Sequence, residues 1–356
     1  MSSTTSRSTP LRGQEAGSRP QATTRRPVRA VIAVVGGLLV LGATPLMADD
    51  FTVSLLTDVL VLGLLAASLD LLVGYTGLPS LGHSIYYGVG AYASAIVAVD
   101  LLPLAPLHLL VGLTAGALLS LLVGLVAVRL RGIYFLMFTL AIAELGRTLA
   151  LSLRGVTGGS NGVSGIPRLD VLPGVFVLSA NAFTFWYVLV VVVVATAGLH
   201  LVVRSPFGRA LRGIKANEHR MRAIGYNVTA YRLAAFVIAG AVAGVAGSLL
   251  VAQTRFVSPS DVGFSVAALA LLVIVTGGTG TLYGGFVGAL AVVLVRDQLA
   301  PDVGVHGVLL LGVLFVVVVY LMPKGVVGTV WPLVSRWWRP RRPAPPAVPP
   351  ATGAPL

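Results

Sequence analysis

Apolar residues occur in long runs along this chain, and this pattern limits the possible folds more than any other feature. Ten runs are long enough, or nearly so, to cross a bilayer, since one helical crossing takes about 20 mostly apolar residues. Hydrophobic residues make up 56% of the 356 residues and charged residues only 10%, whereas about a quarter of an average soluble protein is charged. The pattern predicts an all-α, polytopic integral membrane protein with about 8–10 transmembrane helices, and it excludes a soluble domain with one membrane anchor. The predicted spans are 30–47, 52–73, 81–99, 106–128, 132–153, 183–203, 230–252, 264–276, 284–299 and 304–322.

The positive charge of the chain is concentrated in three blocks between or beside these runs. The formal net charge is +13, and residues 1–30, 204–232 and 323–342 together hold 18 of the 25 Lys and Arg residues. Cytoplasmic flanks of membrane helices accumulate Lys and Arg. We therefore predict that all three blocks, and both termini, lie in the cytoplasm of a multi-pass protein of the cell membrane. The same distribution predicts contact with the lipid bilayer and no nucleic-acid partner.

Composition divides the chain into three parts. Residues 1–29 form a basic tail rich in Ser and Thr that is predicted to be disordered. Residues 30–323 form the transmembrane domain, with a cytoplasmic loop at 204–229, and residues 324–356 form a basic, Pro-rich cytoplasmic tail. An alternative stays open at the N-terminus, because its basic start, apolar stretch and small residues at 42–48 also resemble a secretory signal with a cleavage site.

Two glycine-rich stretches interrupt the apolar pattern, one in each half of the chain. The first runs from Gly74 to Gly82 and the second from Thr276 to Gly285. Non-helical backbone at membrane depth needs protein or a water-filled cavity around it, and paired interrupted segments often mark a transport pathway. The alternative is close packing of small residues between helices, and the sequence leaves both open. The predicted pathway residues are Gly74, Tyr75, Gly77, Ser80, Gly82, His83, Tyr86, Thr276, Gly277, Gly278, Thr279 and Gly280.

Residue types that carry catalysis are absent or scattered. The chain has no Cys, so thiolate metal sites and thiol nucleophiles are excluded. Its five His residues lack the spacing of metal ligands, and the glycines of 277–285 are not followed by the Lys of a phosphate-binding loop. We predict no catalytic residue, no metal site, no cofactor and no ATPase site in this chain. Uphill transport would need energy from a partner protein or an ion gradient.

Few charged residues lie within the predicted spans. Asp58 and Asp70 lie in the second run, and Arg296 stands next to an Asp near the end of another. Charges at such depth are costly and often belong to proton or ion relays. Glu144 and Arg147 are three residues apart on one helix face, so we predict a structural ion pair. Asp70 is predicted to bond backbone groups freed at the first interruption or to lie at the inner membrane interface.

The basic block at 204–229 has the pattern of a short amphipathic helix. Pro206 suits a helix start and Gly225 a helix stop. The apolar residues between them fall near one face, and Arg and Lys occupy the rest: Phe207, Leu211, Ile214 and Met221. Such a helix either lies on anionic lipid or docks its apolar stripe into a groove on a cytosolic ATPase. Amphipathicity alone leaves both open.

Four stretches, taken in order, carry a family resemblance over most of residues 30–325. They are the 74–92 run, Arg-Gly-Ile-Tyr-Phe at 131–135 leading into Thr-Leu-Ala-Ile-Ala-Glu at 139–144, the Gly-rich 157–167 run, and the 205–229 block. Together they resemble the permease subunit of an ABC importer for branched-chain amino acids, in particular the M-type partner of paired M and H permeases. Pro79 departs from the polar residue that such permeases often have there.

The resemblance implies a transmembrane permease subunit that moves branched-chain or related amino acids across the plasma membrane while a separate subunit hydrolyses ATP. The implied partners are cytosolic ATP-binding subunits, a second permease subunit of the H type and an extracytoplasmic substrate-binding protein. It favours ATPase docking over lipid binding for the basic helix, and the predicted coupling residues are Pro206, Phe207, Gly208, Arg209, Leu211, Arg212, Glu218 and Gly225. The alternative function is an ion-gradient-driven secondary carrier of small solutes.

Overall fold

The structure is a computed structural model that describes residues 41–172 and 181–299, the pairs 36–37 and 176–177, and isolated short stretches between 309 and 329. The chain divides into two compact units, Met1–Thr44 and Pro45–Leu356. The described residues of the first unit are helical. All that follows concerns the second unit.

The second unit is built from helices. In chain order they are α1 (Asp50–Asp70), continued by a π-helical turn (Leu71–Thr76), α2 (His83–Asp100), α3 (Ala105–Ala127), α4 (Ile133–Ser152), α5 (Arg154–Thr157), α6 (Asn181–Arg204), α7 (Pro206–Ala216), α8 (Glu218–Ala223), α9 (Val228–Thr254), α10 (Phe264–Gly277) and α11 (Gly284–Leu294), continued by a second π-helical turn (Val295–Leu299). Short 3₁₀ turns lie at Gly159–Asn161 and Pro259–Asp261, and two short antiparallel strands pair, β1 (Asp170–Leu172) and β2 (Phe176–Val177).

Helices α1 and α9 lie at the centre of the packing. In the most apolar 18-residue window of each helix, 83% of the residues are buried for α1 with its π-helical turn and 67% for α9. The corresponding shares are 22% for α3, 22% for α4 and 33% for α6. The outer helices therefore present apolar side chains away from the core, as helices in contact with lipid do.

Small residues bring α2, α3 and α9 into backbone contact. A Cβ atom at Gly244 of α9 would collide with the carbonyl of Gly112 on α3. Beside this contact, the hydroxyl of Ser94 on α2 lies 2.7 Å from that of Ser248 on α9, and both lie within hydrogen-bond distance of the His108 carbonyl (3.1 and 3.0 Å). Because lipid is as apolar as the side chains, such close approach and interhelical hydrogen bonds hold membrane helices together.

The prediction of an all-α polytopic membrane protein is confirmed. Among the described residues, five helices are long and apolar enough to cross a membrane: α1 with its π-helical turn, α3, α4, α6 and α9. Helices α2, α10 and α11 coincide with the predicted spans 81–99, 264–276 and 284–299 but are shorter or less apolar. The predicted spans 30–47 and 304–322 lie largely outside the described residues, as do both predicted tails, so the total number of crossings stays a prediction.

Candidate functional site

The first glycine-rich interruption begins with a change of helix type at the end of α1. Residues Leu71–Thr76 form a π-helical turn, and Gly77 ends it with a φ of 73°, a left-handed conformation that favours glycine. The carbonyls of Val73 and Gly74 accept hydrogen bonds from the Nζ atom of Lys215, at 3.4 and 2.6 Å. Lys215 belongs to α7 in the basic block, so the block is bonded directly to the interruption.

Asp70 joins the first interruption to the second. One carboxylate oxygen of Asp70 accepts from the backbone N–H of Gly280 (2.7 Å) and the other from that of Leu282 (3.0 Å). The Tyr75 hydroxyl donates to the Gly280 carbonyl (2.9 Å). Asp70 is only 1% exposed, so these bonds replace the water that its charge has lost. We call Asp70, Gly74, Tyr75, Lys215 and Gly280 the break junction.

The glycines of the two interruptions are sites of close backbone approach. A Cβ atom at Gly74 would lie 2.5 Å from the Gly280 nitrogen and 2.6 Å from its Cα. At Gly277 a Cβ would collide with the carbonyl of Gly284, and at Gly82 with that of Thr139. The interruptions are therefore packed against each other and against neighbouring helices in this structure. Their role in a pathway stays a prediction.

The remaining predicted pathway residues are mostly enclosed. Ser80, His83, Tyr86 and Thr276 are buried, Gly278 is buried, and Thr279 is exposed. His83 Nε2 lies 2.8 Å from the Ser68 hydroxyl, and the Tyr86 ring meets the His83 ring edge-on at 5.7 Å. His83 thus packs with a hydroxyl partner, as a single imidazole in a helical core usually does.

The basic block forms two helices where the sequence predicts one. Helix α7 begins at Pro206, where the Ser205 hydroxyl accepts from the Gly208 N–H (3.4 Å). The chain then extends at Asn217, whose side chain caps α8 by accepting from the Arg220 N–H (2.9 Å). The Asn side chain competes for backbone hydrogen bonds and therefore favours a cap position over a helix interior. This preference explains why the helix is divided at Asn217. Gly225 follows α8 with a φ of 91°.

The apolar stripe of α7 is covered by the chain itself. Leu211 is 0% and Ile214 1% exposed, and the Phe207 ring stacks on Tyr231 of α9 at 5.4 Å. Arg212 donates to the carbonyl of Val203 at the end of α6 (3.2 Å). Leu211 and Arg212 therefore both contribute to holding α7 against the chain, and their predicted role in coupling stays a prediction.

Glu218 gathers three guanidinium groups at the start of α8. One of its carboxylate oxygens accepts from Arg131 (2.9 Å) and Arg222 (2.7 Å), and the other from Arg232 (2.9 Å). Burial by itself raises the pKa of Glu218, but the positive charges of Arg232, Arg131 and Arg222 outweigh it, so the pKa lies below its ordinary value. Glu218 links the α3–α4 loop, α8 and α9.

Glu144 and Arg147 form an ion pair on α4. The distance between Glu144 Oε2 and Arg147 Nη1 is 3.5 Å. The other oxygen of Glu144 accepts from the N–H of Phe264 (3.2 Å), which is one of the free donors at the start of α10. The pair therefore ties α4 to α10.

Several residues of these contacts, including Lys215, Arg131, Arg222 and Arg232, were not among the predicted site residues. One sequence feature could have drawn attention to Lys215, because the whole chain has only one other lysine, Lys324. Arg131 and Arg232 flank apolar runs as many membrane-interface arginines do, and their shared partner Glu218 lies far from Arg131 in sequence. No three His, Asp or Glu side chains come together as metal ligands would within the part of the chain that the structure describes.

Comparison with known proteins decides the family. The family model described as the permease component of branched-chain amino acid transport systems matches residues 51–319. The chain belongs to this family. The prediction drawn from the four sequence stretches is thereby confirmed, and the break junction and the basic block both lie within the matched region of this permease.

Individual relatives agree with this assignment. The high-affinity branched-chain amino acid permease protein LivM of Salmonella typhimurium is 30% identical over 84% of this chain and 75% of its own length. The probable LivH protein of Methanocaldococcus jannaschii is 29% identical over 77% of this chain and 90% of its own length. The autoinducer 2 import permease LsrC of Yersinia pestis is 30% identical over 57% of this chain and 61% of its own length. No solved structure matches the chain significantly.

Proposed function

We propose that this permease is the transmembrane subunit of an ABC importer for branched-chain or related amino acids. Its partners would be cytosolic ATP-binding subunits, an H-type permease subunit and an extracytoplasmic substrate-binding protein. The pairing is supported by the similarity of the chain to proteins named LivM and LivH. ATP would be hydrolysed by the separate subunit, and this chain would contribute a shape change.

The observation that carries the proposal is the hydrogen-bonded path from the basic block to both interruptions. Lys215 bonds α7 to the carbonyl of Gly74 (2.6 Å), and Asp70 bonds the same region of α1 to the N–H groups of Gly280 and Leu282. A displacement of α7 is therefore passed to the end of α1 and on to the α10–α11 connection. Two interrupted segments that move together can open and close a pathway, as broken helices do in other transporters.

The face of the block that points away from the chain suits a protein partner. Ile224 is 63% and Tyr226 40% exposed next to the end of α8, and Arg209 on α7 and Arg220 on α8 are exposed as well. An apolar centre with an arginine rim is typical of protein interfaces. We propose that this face contacts the ATP-binding subunit in the cytoplasm, while the 154–182 loop on the opposite side contributes to the surface that receives the binding protein.

Replacing Lys215 tests the path. We expect Lys215→Met to leave assembly with the ATP-binding subunits intact and to lower the ATPase stimulation by loaded binding protein about tenfold, the equivalent of about 1.4 kcal/mol. Both would be measured in proteoliposomes that hold the complete transporter. Arg129→Met is the matched control, because Arg129 is an exposed cation outside the block and outside the surface proposed to receive the binding protein. Unchanged stimulation in Lys215→Met would remove the proposed path.

An ion-gradient-driven carrier is the second candidate. Asp58 favours it, because its carboxylate lies within a membrane helix, 3.8 Å from the Arg296 guanidinium, and such charges serve as ion relays in carriers. The basic block and its bonds to the interruptions have no evident use in a carrier of that kind, so we favour the importer.

A further inference from the structure

A cavity lies beside the middle of α1, along the stretch from Asp58 to Leu65. Its volume is about 130 Å³, and its walls come from α1, α2, α9, α10 and the two helical turns beside them. Pockets for drug-sized ligands measure about 300–1,000 Å³, so this one suits a single small solute. Leu65 and Leu250 are among the apolar residues that form most of the wall, and Asp58, Asp261 and Arg296 add charges of both signs.

The three charged groups keep capacity for a ligand. Arg296 uses two of its N–H groups for Asp297 (2.7 and 2.8 Å), and a guanidinium has five. One oxygen of Asp58 accepts from Gln253 (2.9 Å), whereas the other is 3.8 Å from Arg296, beyond a direct hydrogen bond. Asp261 accepts from Ser258 through one oxygen only, within the described residues.

We propose that this cavity is a binding site for a zwitterionic amino acid with an aliphatic side chain. The α-ammonium group would bind between the Asp58 and Asp261 carboxylates, the α-carboxylate would bind the N–H groups of Arg296 that Asp297 does not use, and the side chain would lie against Leu65 and Leu250. An ammonium group suits carboxylates, and a guanidinium suits a carboxylate. The apolar wall contributes in proportion to the apolar area that leaves water. This inference rests on the proposed function and names the site through which the solute passes.

The backbone around the cavity fits this role. Arg296 lies on the π-helical turn Val295–Leu299, and such turns are frequent at functional sites. Asp58 precedes Asp70 by twelve residues on the same helix, which corresponds to about 18 Å along the helix axis. One helix therefore carries a group of the cavity in its middle and a group of the break junction at its end. Occupation of the cavity and movement of α7 both act on α1.

Ligand analogues test the inference without any substitution. The full-length chain in lipid nanodiscs is titrated with radiolabelled leucine, and unlabelled compounds compete. We expect saturable binding that valine displaces, and at least tenfold weaker displacement by leucinamide, which lacks the carboxylate, and by 4-methylpentanoate, which lacks the ammonium group. Equal displacement by either analogue would overturn the inference, and displacement of leucine by sodium ions alone would assign the cavity to a cation.

Two substitutions locate the site. Asp58→Asn and Arg296→Gln should each weaken leucine binding at least tenfold, and Arg296→Gln should abolish the discrimination against leucinamide. Asp50→Asn and Arg129→Gln are matched controls, because Asp50 and Arg129 are exposed and lie outside the cavity. Unaltered leucine affinity in both cavity variants would overturn the inference.

ATP-driven leucine uptake by the complete transporter separates the two proposals. A wild-type complex that takes up leucine while the chain alone shows no saturable binding would overturn the cavity assignment and leave the importer in place. A complex without ATP-dependent uptake would overturn the importer, whatever the binding result.

Discussion

At the scale of single residues, Glu218 shows how one carboxylate can hold three segments together. Its side chain is 15% exposed and that of its partner Arg232 11% exposed. Hydrogen bonds to charged groups contribute about 1.5–3 kcal/mol each, and the loss of the carboxylate would leave a nearly buried guanidinium without its counter-ion. Glu218 therefore stabilises the structure of the basic block, independently of any contact with a partner protein.

Glu218→Gln should destabilise the chain by about 1.5–3 kcal/mol at neutral pH, measured by thermal unfolding in detergent. Because the folded-state pKa lies below the ordinary value of 4.5, the carboxylate contributes its full stabilisation above pH 4.5 and loses it as the pH falls through the lowered pKa. The difference between wild type and variant should hence stay constant from about pH 8 to 5 and shrink in more acid solution. Asp100→Asn, at an exposed carboxylate, is the control. A difference of the same size at every pH would contradict this account.

At the scale of elements, small residues determine how closely the central helices approach. Gly244 on α9 meets the backbone of α3 at Gly112 and Gly116, and backbone atoms cannot move aside as the end of a flexible side chain can. A larger side chain is excluded in the same way at the two interruptions, because Gly74 and Gly277 each lie against backbone atoms. At these contacts, glycine is the residue that lets two backbones approach this closely.

Two glycine substitutions with opposite expected effects test this packing. Gly244→Ala should destabilise the chain by about 1–3 kcal/mol, the usual cost of overfilling a packed core. Gly198→Ala should be neutral or stabilise by up to about 1 kcal/mol, since alanine favours helix and no atom lies within 4 Å of the added methyl. Thermal unfolding of both purified variants measures the difference. Equal effects would show that α3 and α9 are less tightly packed than described.

At the scale of the whole molecule, the chain is a permease in which α1 lines a cavity along its middle and is bonded to the basic block through the turn at its end. Among the described residues, no three His, Asp or Glu side chains come together as metal ligands would. In the proposed importer, the energy would come from ATP hydrolysis by a partner subunit. The chain by itself would only change shape.

The isolated chain in proteoliposomes should accumulate no leucine under a proton or a sodium gradient. After addition of the ATP-binding subunits, the H-type permease and the binding protein, uptake should require ATP and should persist when an uncoupler abolishes the gradient. The measurement is the time course of radiolabelled leucine inside the vesicles, with protein-free vesicles as the control. Concentrative uptake by the isolated chain would favour the secondary carrier.

The amino-acid sequence by itself determined the class of the protein, its family, the basic block and the positions of both glycine-rich interruptions. These follow from local properties, because hydropathy over about 20 residues specifies a membrane helix and Pro206 and Gly225 mark a helix start and stop wherever the chain folds. The sequence pattern predicted a single helix, whereas in the structure Asn217 separates two helices. The free energies of Asn at a cap and in a helix interior differ too little for the sequence pattern to distinguish the two.

Only the tertiary structure decided which distant residues meet. Lys215 reaches Gly74 across 141 positions, Asp70 reaches Leu282 across 212, and Arg131 reaches Glu218 across 87. The cavity charges Asp58 and Arg296 are likewise brought together from opposite ends of the described chain. The apolar stripe of α7 is likewise buried against other parts of the same chain. Its sequence pattern alone was equally compatible with burial against a partner protein. Such pairings depend on how helices pack, and helix packing depends on the shapes of all contacting surfaces together, which no local pattern contains.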